Sequence, residues 1–167
     1  MKTGIKSYKE EYPKTIMELE QVCKKNDGFD SEKDFSKYLE INLGRLLSDR
    51  GEKGLVRYDK EVYLQRFKPF GGNKPRIDYV VETEDKKIGV EVKHPTNCKV
   101  EMANAVSQVL YYIEVNEIGI DEFWLVSTYI DPIMISIIGR YKLPIRVFVV
   151  NKRFNCEVKP WQGQRKH

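Results

Sequence analysis

The sequence predicts an α/β protein with a mixed central β-sheet flanked by helices. Residues 76–94 alternate apolar and polar residues on both sides of a short charged turn, a pattern typical of a β-hairpin. Residues 31–50 and 100–118 carry apolar residues three and four positions apart, the spacing of an amphipathic helix. Two buried-strand patterns, 122–128 and 145–150, are separated by a helical segment, which indicates a crossover in an α/β sheet.

The chain begins with two helical patterns. Residues 7–25 carry a helical stripe and are expected to form an accessory helix within the N-terminal segment 1–27. Ser31, followed by Asp34, resembles a helix N-cap with an acidic third position. The second helix is expected to end at Gly51, because glycine suits the left-handed position after a helix.

The middle of the chain is expected to alternate between strands and helices. Residues 55–67 suggest one strand or two short ones, and the flexible basic loop 68–75 leads into the hairpin. A helix at 100–118 buries one apolar face, and a short apolar helix opens at Asp131-Pro132, because Asp suits the cap and Pro the first turn. The expected order is α, three β, α, β, then α and β.

The C-terminal segment 151–167 is predicted to be a basic tail. It carries cations around Phe154 and Trp161, and aromatic residues among cations can clamp a strand of nucleic acid. Such a tail is more often simply solvated, and both interpretations stay open.

Length and composition narrow the class of protein. At 167 residues the chain is expected to form one domain. The apolar runs are shorter than the roughly 18 residues of a membrane span, and the first residues lack the apolar stretch of a signal peptide. We therefore expect an intracellular, cytoplasmic protein without a membrane partner. The net charge of +4 leans toward a polyanionic partner.

Cysteine and histidine usage limits the metal sites that the chain could build. The 3 cysteines are widely spaced and none lies in a Cys-x-x-Cys pair, and the chain has only 2 histidines. This argues against a disulfide framework and against zinc or iron-sulfur sites built from local ligand pairs. Any metal is expected to be held mainly by oxygen.

Three polar side chains stand out in the predicted hairpin. Asp78 lies in its first arm, and Glu91 and Lys93 lie in its second. Because side chains on a strand alternate between faces, Glu91 and Lys93 share one face while Val90 and Val92 occupy the other. Pairing of the arms would bring Asp78 beside Glu91. Two carboxylates and an ammonium would then converge on an otherwise apolar β-structure. Burying charged groups costs free energy, so such a cluster needs a functional explanation. The alternative is that the three side chains lie on a solvated face of the sheet.

Carboxylates with a lysine suit a hard divalent ion, Mg²⁺ or Mn²⁺, which prefers oxygen ligands and retains waters. Such an ion lowers the pKa of its water and stabilises charge on a phosphoryl oxygen. Lys93, a compact cation, could orient the attacking hydroxide. The arrangement predicts a site that breaks phosphodiesters. A second Glu-x-Lys, Glu157-Val158-Lys159, has no partnering Asp on an adjacent arm and is interpreted as a chance match.

These residues and three others occur in a recognisable order along the chain. Glu40 lies on the helix that ends at Gly51, then come Asp78 and Glu91-Val92-Lys93, and the next helix carries Gln108 and Tyr112. Over residues 32–150 this order resembles the PD-(D/E)XK nuclease superfamily. The resemblance implies the restriction-endonuclease-like fold, with an αβββαβ core.

The resemblance also implies roles. In that superfamily the Asp and the Glu of E-x-K bind the metal, the Lys assists the water, and a Glu on the first core helix supplies another acidic contact. The matching residues here are Asp78, Glu91, Lys93 and Glu40, with the carbonyl of Val92 as a further metal ligand by the same analogy. Glu32, on a neighbouring face of the helix, is the alternative to Glu40.

Two parts of the chain are similar to particular branches of the superfamily. The helix of Glu40 resembles that of archaeal Holliday junction resolvases. Gln108-x-x-x-Tyr112 looks like the Q-x-x-x-Y motif of RecB-type nucleases, in which these residues support the site or contact DNA; an ordinary helix flank is the alternative. Ile77 stands where the superfamily name has Pro. The cysteine set of its iron-sulfur members is absent, so no cluster is expected.

The predicted function is therefore a Mg²⁺- or Mn²⁺-dependent nuclease that cleaves DNA. A nucleic-acid-binding module without catalysis and an RNA-cleaving nuclease are the alternatives. A resolvase of branched DNA would need two active sites and hence a homodimer.

Overall fold

The computed structural model describes residues 6–7, 28–65, 75–94, 98–128, 131–150, 152 and 154–158. These residues form a sheet of seven strands with helices packed on both faces. In chain order the elements are β1 (Lys6–Ser7), α1 (Glu32–Asp49), β2 (Leu55–Tyr63), β3 (Arg76–Thr83), β4 (Lys87–Lys93), α2 (Cys98–Val115), β5 (Glu122–Ser127), α3 (Pro132–Arg140), β6 (Ile145–Val150) and β7 (Phe154–Val158).

The sheet is mixed. Its strands lie in the order β1-β7-β6-β5-β4-β3-β2. β2, β3 and β4 are antiparallel neighbours, whereas β4, β5 and β6 run parallel. β7 is antiparallel to β6. The parallel strands are joined by helices because a parallel pair needs a crossover connection. The predicted α/β class, with a mixed sheet flanked by helices, is confirmed.

Two apolar layers cover the two faces of the sheet. α1 packs on one face, where its buried residues meet side chains of β3 to β6. α2 and α3 pack on the other face. Trp124 and Phe148 lie in the α1 layer with ring centroids 4.4 Å apart. The sheet is thus covered on both faces, as expected for a sheet that contains parallel strands.

The helix ends follow the predicted capping chemistry. The hydroxyl of Ser31 accepts a hydrogen bond of 3.1 Å from the backbone N–H of Asp34, which satisfies a donor at the start of α1. Gly51 has a φ of 72° just beyond the end of α1, a conformation that favours glycine. Asp131 caps α3 by accepting from the N–H of Ile133 at 2.9 Å. These predictions are confirmed.

Some element boundaries differ from the predictions. β2 is one strand that ends at Tyr63, and α2 ends at Val115. Asn116 has a positive φ of 27°, and its side chain bonds the backbone N–H and carbonyl of Ile120. Its side chain therefore stabilises a turn where the sequence suggested three more helical residues.

The segment 151–167 is not entirely a tail. β7 pairs with β6 and buries Asn155, Cys156 and Val158. The sequence did not predict this strand, because its five residues are partly polar and resemble a solvated segment. Pairing with β6 is what stabilises the strand. Residues 159–167 lie outside the described residues, as do 8–25 of the predicted N-terminal helix and 68–74 of the predicted loop. In the described part of the chain, none of the helices has the length and apolarity that a bilayer crossing requires.

Candidate functional site

The hairpin of β3 and β4 places Asp78 beside the Glu91-Val92-Lys93 segment. The register pairs Tyr79 with Val90 and ends there. One position further, Oδ2 of Asp78 accepts a hydrogen bond of 2.8 Å from the backbone N–H of Val92. The side chain of Asp78 therefore binds the backbone of β4 just beyond the last paired residues of β3 and β4. The predicted pairing of Asp78 with this segment is confirmed.

The side chains of Glu91 and Lys93 contact each other inside the protein. Nζ of Lys93 lies 3.1 Å from Oε1 of Glu91, and only 3% of the Glu91 side chain is exposed. The second carboxylate oxygen, Oε2, is buried and has no hydrogen-bond partner among the described residues. Burying a carboxylate oxygen without a hydrogen-bond partner destabilises the folded protein. The burial of Oε2 therefore indicates a functional role for Glu91.

A cleft of about 810 Å³ opens over these side chains. Asp78, Glu91 and Lys93 line it together with Gln108 of α2. The remaining lining residues are Glu32, Tyr63, Pro75, Arg76, Ser107, Tyr111 and Tyr112. The structure thus brings five of the seven predicted site residues into one cleft, and Glu40 and Val92 are not among its lining residues.

Tyr112 is buried and supports the cleft from α2. Its hydroxyl donates a hydrogen bond of 2.6 Å to the backbone carbonyl of Arg76. Arg76 is two residues before Asp78, so Tyr112 ties α2 to the start of the strand that carries Asp78. Burial and the carboxylates of Glu91 and Asp78 raise the pKa of Tyr112, so its hydroxyl keeps its proton at neutral pH.

Burial dominates the electrostatics of the two acids. It raises the pKa of Asp78, opposed by the hydrogen bond from Val92 and by the charge of Lys93. Burial and the neighbouring charge of Asp78 raise the pKa of Glu91 to about 8, although Lys93 acts in the opposite direction. Burial by itself lowers the pKa of Lys93, but the charge and hydrogen bond of Glu91 outweigh it and raise that pKa. Lys93 is therefore an ammonium at neutral pH.

The two glutamates of α1 occupy different surroundings. Glu40 accepts a hydrogen bond of 3.1 Å from the hydroxyl of Tyr79 and forms an ion pair with Lys60. It lines a neighbouring cleft and not the one over Glu91 and Lys93. Glu32 lines both clefts, and its carboxylate accepts from the backbone N–H of His94 at 3.2 Å. Of the two candidates, Glu32 is the carboxylate that the structure brings to the acids.

Arg76 and Tyr63 also line the cleft, although the sequence did not predict them as site residues. They are cross-strand partners at the end of the β2–β3 pair. Arg76 had a usable signal, because it precedes Asp78 by two residues and side chains two apart on a strand share a face. Tyr63 had none, since its place depends on the register between β2 and β3.

The donor set fits a hard divalent ion in chemistry, although it is not a complete ligand cage. Within the described ranges, no three Asp, Glu, His or Cys side chains gather closely enough to form a preformed metal site. Asp78 and Glu91 supply carboxylate oxygens, and the unpartnered Oε2 of Glu91 is available as a donor. Mg²⁺ and Mn²⁺ accept such a partial set, because they are commonly bound by one or two carboxylates while keeping several waters.

The second Glu-x-Lys of the chain has a structural explanation. Glu157 lies on β7 and its carboxylate receives two hydrogen bonds from the guanidinium of Arg146, at 2.9 and 3.0 Å. Lys159 lies outside the described residues. Glu157 therefore serves an ion-pair network, away from the cleft.

Comparison with known proteins does not assign a family. No protein-family model matches the chain, and no curated protein matches it. A solved structure described as a protein of unknown function, AF1548, aligns with a TM-score of 0.43 and 17% sequence identity, over 63% of this chain and 53% of that chain. The chain thus spans about half the length of that protein. A likeness this weak carries no functional argument.

The raised pKa of Glu91 predicts how metal-free stability depends on pH. The folded protein holds this proton up to about pH 8, whereas the unfolded chain releases it near 4.5. Between these values the folded state binds more protons, so stability falls as the pH rises. Glu91→Gln removes this dependence. We expect its free energy of unfolding, relative to wild type, to increase by a few kcal/mol between pH 5 and pH 9.

Urea unfolding in EDTA across that pH range measures this difference. Glu114→Gln, an exposed change on α2, is the matched control and should follow the wild-type profile. Parallel pH profiles for wild type and Glu91→Gln would contradict the burial argument. Mg²⁺ should flatten the wild-type profile, because a cation at the site favours the ionised carboxylate.

Proposed function

We propose that this protein is a metal-dependent nuclease that hydrolyses phosphodiester bonds of DNA. The observation that carries the proposal is the carboxylate of Glu91, buried beside Asp78 and Lys93 with one oxygen unpartnered among the described residues. Such a group destabilises the folded protein unless it has a ligand, and sites of this kind concentrate where chemistry is performed.

Asp78 and Glu91 are the residues that would hold Mg²⁺ or Mn²⁺. The Val92 carbonyl is a further candidate, because the N–H and C=O of one residue in an extended strand point to the same side, and the N–H of Val92 points to Asp78. When bound, the ion supplies a water of lowered pKa and offsets charge on the phosphoryl group. The resemblance to the PD-(D/E)XK nucleases supports the same assignment.

Lys93 has a role that follows from its protonation. Lys93 keeps an ammonium in the metal-free protein, because the charge and hydrogen bond of Glu91 raise its pKa. It can donate a hydrogen bond to a non-bridging phosphate oxygen and offset the negative charge that develops there. Its ion pair with Glu91 holds the ammonium within the cleft at 3.1 Å from Oε1.

The residues of α2 and α1 complete the site. Gln108 is exposed on the cleft wall, so its amide can bind a phosphate or a sugar group of the substrate. Tyr112 positions the strand of Asp78 through the carbonyl of Arg76. Glu32 takes the acidic contact implied for the first core helix, since it lies within electrostatic reach of Asp78, Glu91 and Lys93.

DNA is the proposed substrate because the resemblance is to DNA nucleases and the chain carries a net charge of +4. An enzyme that acts on cellular DNA works inside the cell, so the proposal includes an intracellular, cytoplasmic location. An RNA-cleaving nuclease and a binding module without turnover are the alternatives. Cleavage of branched DNA would also need a homodimer.

Cleavage assays on a substrate panel test the proposal. End-labelled linear, circular and four-way DNA and a matched RNA are incubated with Mg²⁺, with Mn²⁺ or with EDTA. We expect DNA cleavage that requires the divalent ion and is lost in Asp78→Asn, while the unfolding midpoint of the variant stays near that of wild type. The pattern of products distinguishes internal from terminal cutting, and the solution mass reports a dimer.

Two results would count against the proposal. Binding of DNA in Mn²⁺ without cleavage of any substrate would favour the module. Cleavage by Asp78→Asn at the wild-type rate would show that the reaction occurs elsewhere.

A further inference from the structure

A second cleft, of about 540 Å³, lies between α1 and β2. It shares Glu32, Arg76 and Asp78 with the cleft that holds the acids. The two clefts are therefore neighbours that border each other at these residues. We call the cleft between α1 and β2 the α1 groove; its further lining residues are Lys33, Ser36, Lys37, Glu40, Lys60, Glu61 and Tyr79.

The cations of the α1 groove fall into two groups. Lys60 is paired with Glu40, and Arg76 is hydrogen-bonded to Glu61 at 2.9 Å. Lys33 and Lys37 are exposed on α1 and have no ion-pair partner among the described residues. Because they are four residues apart on a helix, they project from the same face as neighbours. Two unneutralised ammonium groups therefore stand along one wall of the groove.

The carboxylates of the α1 groove do not cancel these two charges. Glu40 and Glu61 are engaged by Lys60 and Arg76, as described above. Glu32 and Asp78 belong to the candidate metal site, where a bound divalent ion would offset their charge. With the site loaded, Lys33 and Lys37 would be the charges of the α1 groove that remain uncompensated among the described residues.

The strand opposite this wall carries a local distortion. Glu61 has a φ of 50°, a left-handed backbone conformation that is uncommon for a non-glycine residue and costs about 1 kcal/mol or more. Its neighbours in β2, Lys60 and Val62, pair with Tyr79 and Ile77, so Glu61 lies across from Asp78. Strain of this kind is retained where the surrounding structure holds it, and it occurs often at binding sites.

We infer that the α1 groove binds the sugar-phosphate backbone of the nucleic-acid strand that flanks the scissile phosphate, with Lys33 and Lys37 contacting its phosphates. The inference rests on the proposed nuclease function, because that function places a phosphodiester at Asp78. A strand bound there must leave the reaction centre along the surface, and the α1 groove supplies a path with unpaired cations. Phosphate contacts of this kind position the strand without reading its sequence.

Two measurements on one set of variants test the inference. Binding of a fluorescent single-stranded 20-mer oligodeoxynucleotide is followed by anisotropy, with Ca²⁺ in place of Mg²⁺. Hydrolysis of the p-nitrophenyl ester of thymidine 5′-monophosphate is followed with Mn²⁺, because this ester has a single phosphate and so offers no flanking phosphate to Lys33 and Lys37. The test variant is Lys33→Ala with Lys37→Ala. The control, Arg140→Ala with Lys142→Ala, also removes two exposed cations, but from residues that line neither cleft.

We expect the test variant to bind the 20-mer roughly tenfold more weakly at low salt and to hydrolyse the ester at the wild-type rate. The slope of log K against log salt should decrease by about 1 to 2, as for the loss of two phosphate contacts. The control variant should bind like wild type.

Wild-type affinity and an unchanged salt slope in the test variant would overturn the inference, and so would an equal loss of affinity in the control. If wild type fails to hydrolyse the ester and every DNA substrate, the nuclease proposal fails by itself. The binding comparison still decides whether the α1 groove holds nucleic acid.

Discussion

Glu91→Gln should hydrolyse DNA on the order of 10³-fold more slowly than wild type in Mg²⁺, a loss of about 4 kcal/mol of transition-state stabilisation. Glutamine has nearly the same shape but no charge, so it is a poorer donor for a hard divalent ion and no longer forms an ion pair with Lys93. Single-turnover cleavage of a labelled duplex with enzyme in excess measures the rate of the chemical step.

The design separates chemistry from folding. The same variant is expected to gain stability relative to wild type at alkaline pH in EDTA, so unfolding is not expected to cause its loss of activity in Mg²⁺ at the same pH. Glu114→Gln on the exposed side of α2 should retain wild-type activity. A rate for Glu91→Gln within threefold of wild type would remove Glu91 from the mechanism and leave its burial unexplained.

Arg146→Met should destabilise the fold by about 3 kcal/mol. The guanidinium of Arg146 bridges three carboxylates: Glu52 at 2.9 Å, Glu122 at 3.1 Å and Glu157 at 2.9 Å. Only 8% of the Glu52 side chain is exposed, so removal of the cation leaves a buried charge with less compensation. The guanidinium also lies over the ring of Trp124, at 5.2 Å from its centroid, which adds a cation–π contribution.

Urea unfolding at pH 7 measures this loss, and two variants make it specific. Adding Glu157→Gln to Arg146→Met should recover part of the stability, because it removes the charge of a carboxylate that has lost both hydrogen bonds from Arg146. Arg57→Met breaks an exposed ion pair with Glu82 and should change the midpoint little. If Arg146→Met and Arg57→Met shift the unfolding midpoint equally, the ion pairs of Arg146 are not a major source of stability.

The ion pairs of Arg146 and the contact between Glu91 and Lys93 lie at opposite ends of the parallel strands. Arg146 and Glu122 are near the first residues of β6 and β5, whereas Glu91 and Lys93 are near the last residues of β4. The carboxylate oxygens of Glu52, Glu122 and Glu157 are all paired with Arg146 or Lys86, whereas Oε2 of Glu91 has no hydrogen-bond partner in the part of the chain that the structure describes. Folding thus stabilises one end of the sheet and leaves an unsatisfied acid at the other, the distribution expected when that acid is kept for a ligand.

Much of the fold could be predicted because its signals are local. The caps at Ser31 and Asp131 and the glycine at position 51 depend on side chains next to the backbone groups that they satisfy. The hairpin was predictable for the same reason, since a short turn and a period of two determine which residues share a face. β7 was missed because a five-residue strand has little propensity of its own and is stabilised by pairing with β6.

The candidate site likewise contains residues that the local sequence predicts and residues that only the tertiary structure brings together. Asp78, Glu91 and Lys93 belong to one hairpin, so strand periodicity and a short connection were enough to bring them together. The choice between Glu32 and Glu40 depended on the angle at which α1 crosses the sheet, and the roles of Arg76 and Tyr63 depended on the register of β2. Those relations join segments distant in the chain, and only the packing of the whole core determines them.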